Sequence, residues 1–376
     1  MNVSEYDYEY PESAIALHPP AVRGESKLFV VLTQTGEIIE DRYNRLSEYL
    51  GSGDVLVRNI TKVFHARLHG IPVTNSGEKL PEIEVFVSEP HAQSLEEYAL
   101  RNFDTKRNGF VLEFLSAKRK IKLSQLTHIE FGNGFALRDL EEKGDSFIGL
   151  FYRTDGVITV EQLFELFEKY GKVPLPPYIK RQTNPSDEDR YQTIFAQKTG
   201  SVAAPTASLN FTKELERELT NKKVAIEEVT LHVGRGTFMP LREEEIEKNV
   251  LHAEPFYVRA EAIEHIKQSK VNMQRIVAMG TTTTRVLESI APKLLAFDDT
   301  AKDIVSETQL FIYPPYQFKI IDGLLTNFHF PKSSLITLVD AFLQYKHSKL
   351  SWRDIYTFAI QHEAKLFSYG DSMLIL

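Results

Sequence analysis

Cysteine is absent from all 376 positions of the chain. Disulfides, thiolate nucleophiles, iron–sulfur clusters and thiolate zinc sites are thereby excluded, and the composition fits a reducing cytoplasm. Long apolar runs are missing as well; none approaches the roughly 20 residues that a membrane helix needs. The opening stretch MNVSEYDYEYPES is acidic where a signal peptide would carry positive charge ahead of an apolar block. A basic excess is also lacking, since 52 acidic side chains face 44 basic ones and the net charge is −8. A protein gripping nucleic acid mainly through phosphate neutralisation would lean basic, so any RNA partner has to meet a local basic surface. What is present is an ordinary globular balance, 42% hydrophobic and 26% charged, enough to fill a sizeable core and, at this length, two domains. The expectation is a protein of the cytoplasm with no membrane contact.

Texture changes twice along the chain. Lys27–Leu32 and Asp54–Val57 read as short strands, β-branched and bounded by Gly24, Gly51 and Gly53. From Thr61 to Arg153, short apolar runs (Ile83–Val87, Phe110–Leu115, Phe135–Leu137, Phe147–Tyr152) recur between polar turns, the pattern of a small β-barrel or sandwich. Beyond Arg153, helices and strands alternate. Val160–Tyr170 places Leu163, Phe164, Phe167 and Tyr170 on one helical face before Gly171. Thr212 and Ser351 are candidate helix caps, the latter with Asp354 behind it. Strands are expected at Val229–Val233, Arg275–Met279 and Leu310–Tyr313, and helices at Ala260–Lys267, Thr283–Ile290 and Ser334–Tyr345. Such alternation predicts an α/β fold, a mostly parallel sheet covered by helices, formed by residues 1–60 and 154–376, with a small β-barrel domain inserted at 61–153.

The segment RIVAMGTTTTRVLES (Arg275–Ser289) is the most informative. A strand ends in Gly280 and four threonines, then a helix begins. Unpaired N–H groups and the hydroxyls of Thr281 and Thr282 make an acceptor site for a carboxylate or phosphate, and Arg285 one turn on could add a bidentate grip. A tight strand–helix turn with threonine caps is the plainer alternative. In VTLHVGRGTFMP (Val229–Pro240), a strand delivers His232 to its end, and Gly234 and Gly236 then allow close backbone approach; a core histidine before a glycine turn is the alternative. His252 and Glu254 form an H-x-E pair whose zinc-deaminase reading fails without thiolates. On a strand the two share a face, as a paired acid and base would. His65 and His69 fall on an expected strand, a poor geometry for sharing a metal.

TNFHFPKSS exposes Asn327 and His329 before a helix start, and FSYGDSM holds Tyr369 and Asp371 in a turn that could place a carboxylate over a pocket. GSVAAPT (Gly200–Thr206) is small and apolar enough to press on a flat ring. Lys118-Arg119-Lys120 and Lys180-Arg181 are candidate phosphate contacts or plain solvated turns.

These segments, in order with YDYEYPES, GDVLVRNITKVFHARLHG, PLPPYI, YQTIFAQKTGSVAAPTASLNFT, FIYPPYQF and LFSYGD, are similar to the S-adenosylmethionine:tRNA ribosyltransferase-isomerase family of queuosine biosynthesis, from about Tyr6 to Met373. The resemblance implies transfer of the ribosyl group of S-adenosylmethionine onto the aminomethyl-deazaguanine at the wobble position of tRNA. Rearrangement would give epoxyqueuosine, and adenine and methionine would leave. It implies an α/β body with an inserted barrel, S-adenosylmethionine as co-substrate, no metal or redox cofactor, and a cytoplasmic monomer that meets the tRNA anticodon loop. Within that reading His232, His252 and Glu254 would move protons. Thr281, Thr282 and Arg285 would anchor the co-substrate, and Gly234, Asn327, His329, Tyr369 and Asp371 would complete the pocket wall.

The chain departs from the family pattern at four places. N-D-T-R-V is here Asn59-Ile60-Thr61-Lys62-Val63, and G-L-H-F is Ser208-Leu209-Asn210-Phe211. P-G-[YF] is Pro314-Pro315-Tyr316, and an arginine before the first strand is Lys27. The first two remove titratable groups from motifs expected to face the site. They raise two alternatives, a divergent paralogue acting on another acceptor and a catalytically silent nucleoside- or RNA-binding relative.

Overall fold

The computed structural model describes residues 2–87, 102–116, 122–143, 146–234, 241, 243–295 and 302–376. In chain order the strands are β1 (Lys27–Leu32), β2 (Glu37–Arg42), β3 (Val55–Asn59) and β4 (Thr61–Val63), then β5 (Arg67–Thr74), β6 (Ile83–Val87), β7 (Phe103–Asp104), β8 (Gly109–Ser116), β9 (Leu126–Gly132), β10 (Phe135–Lys143) and β11 (Ser146–Arg153). After β12 (Lys198–Ser201) come β13 (Ala225–Leu231), β14 (Val250–Val258), β15 (Ile276–Met279), β16 (Ile304–Leu310), β17 (Gly323–Asn327) and β18 (Ser372–Ile375). The helices are α1 (Val160–Tyr170), α2 (Pro185–Arg190), α3 (Lys213–Asn221), α4 (Glu243–Lys248), α5 (Ala260–Val271), α6 (Thr281–Leu294), α7 (Ser334–Tyr345) and α8 (Trp352–Gln361).

Nine strands form one sheet in the order β16-β14-β13-β3-β15-β17-β18-β1-β2. The pairs β13–β3, β3–β15, β15–β17 and β18–β1 are parallel; β16–β14, β14–β13, β17–β18 and β1–β2 are antiparallel. The sheet is therefore mixed, not mostly parallel as alternation suggested. A helix between two strands makes them parallel only if it crosses the sheet face. The six-residue α4 does not separate β13 from β14 in this way; they run as antiparallel neighbours. The parallel run β13-β3-β15-β17 occupies the middle, so the C-terminal ends of four adjacent strands share one edge.

Both faces of the sheet are buried, which explains its continuous apolar runs. Along β1, Phe29 and Val31 enter one core while Leu28 and Val30 enter the other; β15 divides Ile276 and Ala278 from Val277 and Met279 in the same way. The barrel strands close in the order β11-β10-β9-β5-β6-β8, sealed by β8 pairing with β11, with β7 flanking. Helix α1 packs on this barrel through Leu163, Phe164 and Phe167; the rings of Phe164 and Phe167 meet Phe64, and that of Phe167 also meets Phe151. Tyr170, expected on the same face, is exposed at the helix end. The short ribbon β4–β12 lies beside the ends of the central strands.

Local capping chemistry positions the helices that frame that edge. Thr212 caps α3 by accepting from Leu215 N–H, and Ser351 and Asp354 form a reciprocal capping box on α8. Helix α8 carries Tyr356, which reaches the segment after β17. Ser351→Ala is expected to cost about 1 kcal/mol, read as a lowered urea midpoint with an unchanged slope.

Candidate functional site

Asn59, fully buried at the end of β3, ties the site together. Its carbonyl accepts from Leu231 N–H at 3.0 Å and Thr61 N–H at 3.1 Å. Its amide donates to Leu231 O at 3.0 Å and to the Thr282 hydroxyl at 3.3 Å. One side chain thus fixes the ends of β3 and β13, the start of α6 and the entry to the β4 ribbon.

Around this edge opens a hollow of about 520 Å³, counting the part open to solvent. Gly280, Thr281 and Thr282 floor it, Ala204–Ala207 form a small apolar wall, and Tyr178, Phe330 and Phe367 supply aromatic faces. Thr326, Asn327, His329, Val233, Leu335 and Ser368 fill the remainder. No charged side chain is among the described residues that line it.

The four threonines divide their work. Thr283 and Thr284 turn their hydroxyls back onto Met279 O and Gly280 O, and Thr282 meets Asn59. Thr281 is 7% exposed, lines the hollow and has no hydroxyl partner among the described residues. Gly280, at φ 94°, begins the helix without a side-chain cap. The leading N–H groups of α6 are those a helix leaves unpaired, and Thr281 and Thr282, which carry the first two, line the hollow.

Three histidines expected at the site have different surroundings. His232 lies behind the wall, its Nδ1 2.7 Å from the Thr61 hydroxyl and its Nε2 sealed without a partner. A Cβ on Gly200 would stand 2.7 Å from its ring, so the glycine is what lets the ring fit. Burial brings His232 down to about 4 and holds it neutral. His329 lines the hollow, with Nε2 2.9 Å from the Thr326 hydroxyl, and burial brings it down to about 3. His252, on β14, is partly exposed, with Nε2 3.2 Å from Glu254 Oε1.

Glu254 is buried and fully engaged. It accepts from Gly234 N–H at 2.9 Å, from His252 and from Arg285. Burial alone would raise its carboxyl, but Arg285, His252 and the Gly234 N–H outweigh that and bring it to about 2. Arg285 also donates to Leu310 O at 3.0 Å and Thr308 O at 3.2 Å. The guanidinium expected to grip a ligand carboxylate is instead directed to Glu254 and two carbonyls, outside the hollow. The H-x-E pair is held one residue from the wall, through Gly234.

Tyr369 and Asp371 lie outside the hollow's lining. The Tyr369 hydroxyl donates to Asp187 at 2.8 Å, and Asp371 accepts from Lys27 N–H and Lys365 N–H, each at 2.7 Å. Asn327 lines the hollow, its Oδ1 accepting from the Thr206 hydroxyl at 2.8 Å. Ile60 packs with Phe195 and Phe211, and neither it nor the buried Asn210 lines the hollow, so the two departures expected to face it do not. Arg181 pairs with Asp187 at 2.6 Å while Lys180 is exposed; Gly236 and Lys118-Arg119-Lys120 lie outside the described residues. Sequence reasoning missed Tyr178, Phe330, Phe367 and Ser368 as lining residues, although Tyr178 sits inside PLPPYI, Phe330 inside TNFHFPKSS, and Phe367 and Ser368 inside LFSYGD. Among the described residues, no helix is long and apolar enough to cross a membrane, and no cluster could hold a metal.

The Glu254–Arg285 pair generates a pH-dependent expectation. Arg285→Ala leaves a buried carboxylate without its main partner and should cost about 3–5 kcal/mol at neutral pH. Glu254's folded value is depressed, so its contribution is complete above its ordinary 4.5 and is lost as pH falls through about 2. The gap in urea stability between wild type and variant should therefore narrow over that window.

A family model described as "Queuosine biosynthesis protein" matches residues 3–375. An S-adenosylmethionine:tRNA ribosyltransferase-isomerase of Chlorobium phaeobacteroides is 40% identical over 377 residues, and one of Chlorobium phaeovibrioides is 38% identical over 375; each alignment covers the whole of both chains. A crystal structure of S-adenosylmethionine tRNA ribosyltransferase from Thermotoga maritima is similar at 27% identity, covering 99% of this chain and 100% of that one, with a TM-score of 0.52. Motif order, a shared fold and full-length likeness agree, and the chain belongs to the queuosine biosynthesis protein family.

Proposed function

We propose that the chain carries out the reaction for which its relatives are named, as an S-adenosylmethionine-dependent tRNA ribosyltransferase-isomerase. It transfers and isomerises the ribosyl group of S-adenosylmethionine onto the aminomethyl-deazaguanine at the tRNA wobble position, giving epoxyqueuosine with release of adenine and methionine. The observation that carries this reading is a hollow at the ends of the central parallel strands, with no charged side chain among the described residues that line it, floored by an uncapped helix start and walled by aromatic and small residues.

Those parts suit a sulfonium nucleoside. The small Ala204–Ala207 wall and the faces of Tyr178, Phe330 and Phe367 accept a flat base, and aromatic faces also favour a cation. The start of α6, through Thr281 and Thr282, takes the methionine carboxylate. The sulfonium acidifies the neighbouring ribose methylene, so a modest base can begin the reaction. In this reading His252, backed by Glu254 from one residue behind the wall, serves as that base, with Arg285 holding Glu254 in position. His232, sealed behind Gly200, supports the wall at Val233 and Gly234. Asn327 shapes the pocket directly, and Tyr369 and Asp371 brace it from behind.

In the same reading the anticodon loop is the part of tRNA that docks, and the enzyme is a cytoplasmic monomer that uses no metal or redox cofactor. Residues 1–60 and 154–376 form, on this reading, the catalytic domain and residues 61–153 the inserted barrel domain, on which α1 of the catalytic domain packs. The paralogue and silent-relative alternatives lose their motive, because Ile60 and Asn210 do not line the hollow.

Adenine release from S-adenosylmethionine, measured with tRNA bearing the aminomethyl-deazaguanine, should show turnover that stops when that tRNA is omitted. Binding of S-adenosylmethionine with no release would overturn the reading. Thr281→Val, which keeps the side-chain shape and removes the open hydroxyl, should weaken S-adenosylmethionine about fivefold by calorimetry, the scale of one hydrogen bond.

A further inference from the structure

His329 is the one imidazole among the described residues that lines the hollow. It is held more firmly than a pocket side chain requires. Its N–H donates to the Tyr356 hydroxyl at 3.0 Å, and its carbonyl accepts from the Tyr8 hydroxyl at 2.6 Å. Its Nε2 is 2.9 Å from the Thr326 hydroxyl. The remaining nitrogen, Nδ1, has no partner among the described residues and is not among the sealed unpartnered atoms, unlike Nε2 of His232. It is left for whatever occupies the hollow.

Resting on the reading of the hollow as a nucleoside site, we propose that His329 is a specificity-determining contact that hydrogen-bonds the nucleoside of S-adenosylmethionine through Nδ1, and that Thr326 is the positioning residue that holds the ring through Nε2. The nucleoside end is favoured because Phe330, Tyr178 and Phe367 stand beside His329, with Tyr178 and Phe367 4.9 Å apart. The carboxylate end belongs to α6.

The surroundings make this a contact of fixed charge. The groups that hold His329 are hydroxyls: Tyr8 from the N-terminal segment, Tyr356 from α8 and Thr326 from β17; the Tyr178 hydroxyl, from the segment before α2 that also lines the hollow, meets Ser368. The tyrosines are all pushed well above their ordinary range by burial, so none ionises near neutrality. No carboxylate among the described lining residues supports an imidazolium, and a bound sulfonium would oppose one further. A neutral imidazole with Nε2 engaged presents Nδ1 as either one donor or one acceptor, and the Thr326 hydroxyl, able to donate or to accept, keeps the ring in place for either.

The test titrates S-adenosylmethionine into wild type and into His329→Leu, His329→Gln, Thr326→Val and Thr326→Ser, with thermal melts confirming that each is folded. Adenine release is followed in parallel from about pH 6 to about pH 8.5, the span in which an ordinary histidine changes charge. His329→Leu and Thr326→Val should each raise Kd and KM about tenfold, as expected for a buried polar group losing its partner. His329→Gln and Thr326→Ser should recover most of that loss, and wild-type Kd should stay level across the pH range. Leu and Val variants that bind as wild type does would overturn the proposal. So would a fall in kcat at constant KM with loss of a pH limb, which would make His329 an acid–base group. A wild type that fails to bind S-adenosylmethionine removes the transferase reading too; unchanged variants beside an active wild type remove only the assignment of His329.

Discussion

The structure depends on one buried amide. Asn59 uses both of its donors and accepts twice, and its partners come from β13, α6 and the segment leading to β4. A buried amide costs free energy unless it is satisfied, and once satisfied it admits few alternative arrangements. The strand ends that floor the hollow are therefore set relative to one another by a single side chain, and the helix that begins at Thr281 starts where that side chain allows. No apolar residue at this position could do the same, because apolar contact has no direction.

Among the described residues, charge is kept one layer back from the hollow. Glu254 holds Gly234 and Arg285, Asp371 holds two backbone N–H groups, and Glu288 accepts from Lys319, Ile320 and Ile321 N–H. Each of these carboxylates staples main chain. The hollow itself presents dipoles: a helix start, hydroxyls, an amide and an imidazole held neutral. For a ligand carrying both a fixed cation and a carboxylate this division is useful, since a charged wall would favour one end and repel the other.

What could be read from the sequence was local. The caps at Thr212 and Ser351 follow from a hydroxyl placed before a helical pattern, and the turn at Gly280 follows from an apolar run meeting glycine. The barrel was legible because its turns recur at short intervals. Partner choice was not, because it is set across the fold. Arg285 finds Glu254 31 residues away, and Tyr369 finds Asp187 182 residues away. Strand direction failed for the same reason, since helix–strand alternation carries no information on whether a helix crosses the sheet. The strand expected at Leu310–Tyr313 ends instead at Leu310, because β16 pairs with β14 upstream of that run. Tyr8 and Tyr356 hold His329 across the fold, and although Tyr8 stands in the family-like stretch YDYEYPES, nothing local in either segment points to that partner.

The pairing of β18 between β17 and β1 has a consequence for how the protein is made. Lys27 N–H binds Asp371 across 344 residues, and β1 then runs parallel to β18. A ribosome exposes β1 long before the strand that covers its inner edge exists, so for most of synthesis that edge is an open template for pairing with other chains. The acidic hairpin strand β2 shields only the opposite side. Nascent chains of this protein thus carry a sticky, half-finished sheet, and rapid synthesis or overproduction at high temperature would test the cell's chaperones before it tested the finished fold.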